Sequence, residues 1–429
     1  MDAIVLVLIF LFLLFIGMPI AYDLGIVSLV GILILGNIPA ITVVQKIFSG
    51  LNSFVLLAVP LFILAANLMN RGKISEQLVN VAIAMVGHFK GGLGHANVLV
   101  SMIFAGISGS SQADTAGIGK ILIPSMVENG YSREEAVGVT AASSTIGVII
   151  PPSIPMVIYG SLASASVGAL FLGGFLPGVM IGLVQMLIVY LHARKYNYPS
   201  SKRVKFADIC RMIVRYIPSL LTPVIIIGGV VLGIVTPTEA AGVACAYAMF
   251  LGCVVFKTIK VRELPEIFIE TITMTAQSLF ALATATALGQ LLSYYKVSTL
   301  VQQFFAENHM NWIVFLILVI LFLLFIGTFM DAIPAMTLFV PVLLPVALQL
   351  GISPIHFGLV VVITLAIGLI TPPYGICLLI AGSIAKMPVE KSFVAVMPYL
   401  MAIMAVLAVV AFFPDLILFI PKLIRPEWF

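Results

Sequence analysis

A stretch reading Gly147-Val-Ile-Ile-Pro-Pro-Ser153 returns later as Gly368-Leu-Ile-Thr-Pro-Pro-Tyr374, and both copies lie inside apolar runs long enough to approach a membrane span. Taking 372 − 151 gives an offset of 221 for the second proline pair over the first. The same offset joins Gly106 with Gly327, Pro124 with Pro345, Gly130 with Gly351, Ser132 with Ser353 and Pro177 with Pro398. A Pro-Pro pair stops a helix, because one proline lacks its N–H and the other restricts the residue before it. Inside a bilayer the backbone groups freed by such a break need protein or water around them. A chain that repeats this break in each half is constrained to a duplicated helical fold whose interrupted helices meet in its interior. In secondary transporters that arrangement marks the binding site.

Composition agrees with a polytopic membrane protein. Of 429 residues, 62% are hydrophobic and 9% charged, against roughly 25% charged in soluble domains. The N-terminus does not read as a cleavable signal: Asp2 stands where a basic region belongs, and no small-residue cleavage site precedes Pro19. The 21 basic and 17 acidic residues leave a net charge of +4. Arg194, Lys195, Lys202, Arg203, Lys205, Arg211 and Arg215 crowd into one polar stretch with Asp208 as its only acid, which points to the cytoplasmic side. The run is short and flanked by spans, so it does not suggest nucleic-acid binding. Cys210, Cys245, Cys253 and Cys377 and the five histidines form no ligand spacing, and no cofactor is expected.

The basic stretch divides the chain near residue 200. Each half reads as two helices, an arm segment, a further helix, a hairpin, a broken helix and a closing span. Gly17-Met-Pro19 followed by Gly25 opens the first half as Gly233 to Pro237 followed by Gly242 opens the second. An outer N-terminus and an odd number of crossings per half favour inverted repeats. The expected division is scaffold and arm helices over 1–90, a transport segment over 91–168, scaffold with the basic loop and arms over 169–309, a second transport segment over 310–390, and a closing scaffold helix over 391–429.

The first hairpin tip, Gly106 to Thr115, holds Ser108, Ser110, Ser111 and Asp114; the second, Gly327 to Pro334, holds Thr328 and Asp331. Single serines and glycines in membrane helices are commonly close-packing residues. A carboxylate in such a segment is costly and marks function or a cation partner. Hard monovalent cations take hydroxyl, carboxylate and helix-end carbonyl oxygens. Ser108, Ser110 and Asp114, facing Ser144, Thr145 and the break from Gly147 to Pro151, form one candidate Na⁺ site. Thr328 and Asp331, facing Thr364, Gly368 and Thr371, form its counterpart. Half-helix N-termini attract anions, so a solute carboxylate is expected between the two, near Ser153 and Tyr374, with Ser111, Thr115, Pro152 and Pro373 beside it. Glu239 in Thr236-Pro-Thr-Glu239 is expected to cap a helix, Arg71 and Lys73 to mark an interface, and Lys120 to snorkel or pair with an acid.

Two rival classes fall short. Gly106-Ile-Ser108-Gly109 matches an intramembrane serine protease pattern, but neither His309 nor His356 sits in a context that supplies the base. A channel needs rings of selectivity groups about a pore, which two inverted halves do not provide.

Gly17-Met-Pro19, Gly106 to Thr115, Gly147 to Pro155, Thr236-Pro-Thr-Glu239-Ala-Ala241 and Gly368 to Gly375, in this order, resemble the large membrane subunit of tripartite ATP-independent periplasmic (TRAP) transporters over essentially the whole chain. The resemblance implies an all-α elevator-type secondary transporter of the bacterial inner membrane, with a scaffold and a mobile domain of two hairpins and two broken helices. It implies Na⁺ as coupling ion, held at Ser108, Ser110, Asp114, Gly147, Thr328, Asp331, Thr364 and Gly368. Its implied partners are a small four-helix membrane subunit, expected as a separate chain, and a periplasmic binding protein that delivers an acidic solute such as a sialic acid or a C4-dicarboxylate. A stand-alone Na⁺/carboxylate symporter is the nearest alternative. Ser110 departs from the internal symmetry, since its partner at the 221 offset is Asp331.

Overall fold

A computed structural model of the chain describes residues 2–35, 38–201 and 203–426. Lys202 of the basic stretch, and residues at the ends of the 1–90 and 391–429 segments, lie outside the described residues. All regular structure among the described residues is helical, and seven helices are long and apolar enough to cross a membrane. The protein is an all-α, multi-pass membrane protein.

The first half comprises α1 (Asp2–Phe15), α2 (Ile20–Leu35), α3 (Ile41–Leu51), α4 (Ala58–Arg71) and α5 (Ile74–Val86). A hairpin follows, α6 (Gly92–Ser108) and α7 (Ser111–Glu128), then a broken helix, α8 (Arg133–Ser144) and α9 (Ile154–Ala163), and the closing α10 (Val167–Tyr196). The second half runs α11 (Phe206–Val231), α12 (Pro237–Phe250), α13 (Leu264–Tyr294) and α14 (Val297–Glu307). Its hairpin is α15 (Trp312–Gly327) and α16 (Ala332–Gln349), its broken helix α17 (Pro354–Gly368) and α18 (Ile376–Ala385), and α19 (Val389–Phe412) and α20 (Pro414–Ile424) end the chain.

The sequence repeat is a structural repeat. α7 and α16 begin and end at positions 221 apart, and the turns after them place Gly130 and Gly351 at φ +87° and +77°, a conformation that glycine alone adopts without cost. Packing is reciprocal between the halves. α18 lies on α7 and α8, while its counterpart α9 lies on α16 and α17; α2 packs along α13, while α12 packs along α4. Neither half therefore has a core of its own, and one continuous apolar cluster runs through both.

Local chemistry sets the helix starts. Ser110, Ser132, Ser153 and Ser166 each accept a hydrogen bond from a first-turn amide. Thr236 and Glu239 form the expected reciprocal capping box at α12.

The halves differ at two places. Asn52 and Ser53 interrupt the first arm between α3 and α4, with Ser53 extended at φ −135°, whereas α13 runs unbroken for 31 residues. The segment expected as one closing helix over 391–429 is two: Phe413 leaves helical geometry and Pro414, which has no N–H to donate, starts α20. The closing helices pack on hairpin and broken-helix elements. α19 lies on α8, and α10 lies on α6 and α17. Glu135 of α8 ties both, accepting from Tyr399 Oη of α19 at 2.6 Å and meeting His192 Nδ1 of α10 at 2.8 Å.

Candidate functional site

Each hairpin tip is fastened to the break of its own half. Gly109 ends α6 at φ +61°, and a Cβ there would lie 2.9 Å from Pro152 O, so the tip approaches the break only because residue 109 is glycine. Gly109 O accepts from Ile154 N at 3.3 Å. In the second half, Thr328 O accepts from Tyr374 N at 2.9 Å, and a Cβ on Gly327 would sit 3.3 Å from Gly368 Cα. The Pro151–Pro152 and Pro372–Pro373 bonds are both cis.

The acid of the first tip is wholly enclosed. Asp114 is 0% exposed, its Oδ1 accepts from Ser108 Oγ, and its Oδ2 has no hydrogen-bond partner. That free oxygen points at Gly147 in the break. An unpaired buried carboxylate oxygen is expensive unless it carries a proton or meets a cation. Ser144 and Thr145, also buried, return their hydroxyl hydrogens to Thr140 O and Ala142 O, both at 2.7 Å. Their lone pairs remain for a cation. Pro151 is buried behind them.

The second tip is built otherwise. Asp331 caps α16, accepting from Ala332 N at 2.7 Å, and stands on a cavity wall. Ser110 occupies the same place at the start of α7, so the serine-to-aspartate departure from symmetry preserves an N-cap. The residue 221 beyond Asp114 is Ala335, and the second tip has no enclosed acid. Thr328, Thr364 and Thr371 donate to carbonyls of their own helices at 2.7, 2.6 and 2.8 Å, with Thr364 fully buried next to the Gly327–Gly368 contact.

Between the tips and the outer helices α4 and α13 lies a cavity of about 110 Å³. The wall on the hairpin side includes Ser110, Ser111, Gln112 and Asp331; the facing wall includes Asn67, Gln277 and Ser278. Of the six residues expected at the solute, Ser111 alone is on this wall. Thr115, Pro152 and Ser153 are buried behind it, Ser153 as the cap of α9 with its hydroxyl given to Val148 O at 2.6 Å. Pro373 and Tyr374 lie outside the lining. In the first half the break residues Pro151, Pro152 and Ser153 are buried in the tip–break contact, and the first turn of the returning arm, Ser111 to Ala113, is on the cavity wall.

The outer-helix wall was not anticipated. Thr271, Met274 and Ser278 recur on one face of α13, with Thr271 bonded to Asn67 Nδ2 at 2.9 Å. Polar residues at helical spacing in an apolar span are the signal that would have found it. The cavity continues, through Asn67, Gln112, Ala113 and Met274, into a wider crevice of about 680 Å³. Arg71, Glu76, Lys120 and Glu270 line it. Arg71 is bound to Glu266 at 2.9 Å and Glu270 at 3.7 Å, while Lys120 is exposed and has no ion pair among the described residues.

Ser108 is bonded to Asp114, not to a histidine, and His356 meets Val410 O at 3.0 Å. No nucleophile–base pair forms at the tip.

Among solved structures, the fold is similar to that of the YdaH transporter of Alcanivorax borkumensis, with a TM-score of 0.59, 14% identity and 87% of each chain covered. Among curated proteins, the chain is 40% identical over 412 residues to the sialic acid TRAP transporter large permease protein SiaM of Vibrio cholerae, covering 96% of both. It is 34% identical over 422 residues to the C4-dicarboxylate TRAP transporter large permease protein DctM of Rhodobacter capsulatus, covering 95% of this chain and 96% of that one. Residues 7–416 match the family described as the DctM component of the tripartite ATP-independent periplasmic transporter. The chain is thus no enzyme but belongs to the family of TRAP transporter large permease subunits.

Proposed function

We propose that this protein imports an acidic organic solute across the bacterial inner membrane by Na⁺-coupled symport, as the large permease of a TRAP transporter. The observation that carries the reading is the enclosed Asp114, whose free oxygen faces Gly147 at the junction of tip and break. Ser108, Ser110, Asp114, Ser144, Thr145 and Gly147 would hold one Na⁺; Thr328, Asp331, Thr364, Gly368 and Thr371 would hold a second. The solute occupies the cavity against Ser111.

The body that moves comprises both hairpins and both broken helices, with α10 and α19 carried along because they pack on it. The fixed scaffold contains α2, α4, α12 and α13. Cation and solute together complete the tips, and only the completed body crosses in an elevator motion.

Orientation follows from charge. Ser201 N at the basic loop donates to Gly87 O at 2.8 Å, at one end of α5. Thr258 donates to Gly72 O at 3.0 Å at the other, so Lys257, Lys260 and Arg262 gather there with Arg71 and Lys73. That end is cytoplasmic by the positive-inside rule. The crevice lined by Arg71 and Lys120 opens beside it, so this conformation faces inward. A small membrane subunit covers part of the scaffold, and a periplasmic binding protein delivers the solute at the opposite end.

The test is uptake of labelled sialic acid and succinate into proteoliposomes holding this chain and its small partner, under an inward Na⁺ or K⁺ gradient, with and without the binding protein. Uptake that needs Na⁺ and the binding protein is the expected result. Uptake indifferent to Na⁺ overturns the coupling. Uptake with Na⁺ alone makes the protein a stand-alone symporter.

A further inference from the structure

α20 ends against a different body from the one it is packed on. It lies along α10, with contacts to α17 and α19, and buries Ile417, Leu418 and Pro421. A Cβ on Gly173 of α10 would stand 3.7 Å from both Ile417 O and Pro421 Cγ, so the two helices meet closely. α20 therefore travels with α10. Arg425, directly after α20, reaches away from that body to α11: its Nε donates to Val231 O at 3.2 Å, and its Nη2 donates to Leu232 O.

α11 belongs to the other side. It packs along α12, one of the fixed helices, and Tyr247 Oη of α12 donates to Pro218 O of α11 at 2.9 Å. Its remaining faces include contacts with α6 and α10, so the seam between body and scaffold runs along α11. Arg425 crosses that seam.

The end of α11 is made to receive a cation. The last carbonyls of a helix have no amide within it to bond, and they carry the negative end of its dipole. Gly228 O, Gly229 O and Val230 O accept from Leu232 N, Ile234 N and Gly233 N. Arg425 takes the next two, Val231 O and Leu232 O, as arginines near helix ends do. The turn leaves room for it: Gly233 lies at φ +70°, and a Cβ there would come 3.0 Å from Arg425 Nη2.

A body that slides against α11 cannot keep these bonds. Contacts made in one arrangement and lost in another bias the equilibrium toward the first. Resting on the proposed elevator motion, we infer that Arg425 is a latch: from the moving helix α20 it caps the end of the fixed helix α11, holds the arrangement seen here, and lets go each time the body crosses. It is a positioning residue and touches neither ion nor solute.

The experiment measures the distance between scaffold and body in the full complex with the small membrane partner. Spin labels go on Val261→Cys, ahead of α13, and Val394→Cys, on α19, both at exposed positions, with Cys210→Ser and Cys253→Ser removing the less buried native thiols. The distance distribution gives the ratio of this arrangement to all others. Arg425→Gln should lower that ratio about tenfold, the size of one charge-assisted hydrogen bond. Arg425→Lys, which keeps the charge without the forked reach, should lower it less. A ratio unchanged by Arg425→Gln overturns the latch even where the melting temperature falls, because a plain helix cap would move the second and not the first. A distance that shifts with Na⁺ or with the binding protein but not with Arg425→Gln overturns the latch alone. A distance fixed under every one of these conditions overturns the elevator motion with it, so the two failures are separable.

Discussion

The free carboxylate oxygen of Asp114 stands where the Cβ of any larger residue at position 147 would have to go. The hairpin tip and the helix break of the first half thus meet through a contact that only glycine permits, and the acid in that contact is otherwise unpaired.

Gly147→Ala should therefore damage ion response more than folding. A methyl group there displaces the carboxylate, and forcing extra volume into a packed site costs about 1–3 kcal/mol, or about 5- to 150-fold in affinity if it falls on the bound state. The half-saturation for Na⁺ in thermal stabilisation should rise by at least about fivefold while circular dichroism keeps its helical signal. An unchanged half-saturation would remove Gly147 from the cation site.

Asp331 and Asp114 should respond differently to amide replacement. Asn is as good an N-cap as Asp, so Asp331→Asn should retain the stability of the Na⁺-free protein, whereas Asp331→Ala should lose about 0.5–2 kcal/mol. Asp114 caps nothing, and Asp114→Asn should abolish Na⁺-dependent stabilisation. Thermal unfolding of the three variants with and without Na⁺ separates capping from ion binding.

In the second half, Gly368→Ala places a methyl 2.8 Å from Gly327 C and Cα. The obstacle is backbone and cannot rotate away. The predicted loss is about 1–3 kcal/mol, with tip and break pushed apart. A stability within error of wild type, measured by thermal unfolding, would show that the hairpin is free to shift.

Buried and exposed charge should rank in a definite order. Glu135, 7% exposed, joins Tyr399 and His192 across three helices. Glu135→Ala leaves the buried Tyr399 hydroxyl unsatisfied, at about 1–3 kcal/mol, and removes the partner of the half-buried His192. Arg71, with its side chain 46% exposed, pairs with Glu266 at the crevice mouth, and Arg71→Ala should cost no more than about 1 kcal/mol after solvent screening. The reverse ranking in unfolding experiments would contradict the assignment of α8, α10 and α19 to one packed body.

The sequence by itself determined the all-helical membrane character, the two-fold duplication, the hairpins and breaks, and the pairing of each tip with an acid. These are local matters: apolar run length, proline and glycine chemistry, and the cost of a carboxylate among apolar residues are all legible along the chain. α7 and α16 carry their caps and their glycine turns in the residues that form them. What only the tertiary structure decided is which surfaces the two halves present to each other. Asp114 is enclosed and Asp331 lines a cavity, although both follow a glycine in a hairpin tip, because different neighbours close over them. Thr115, Ser153 and Tyr374 stand off the cavity wall, whereas Gln277 and Ser278, 165 or more residues from Gln112 in the chain (277 − 112 = 165), are on it. That wall follows from bringing α13 opposite the tips, a long-range arrangement that no local spacing encodes.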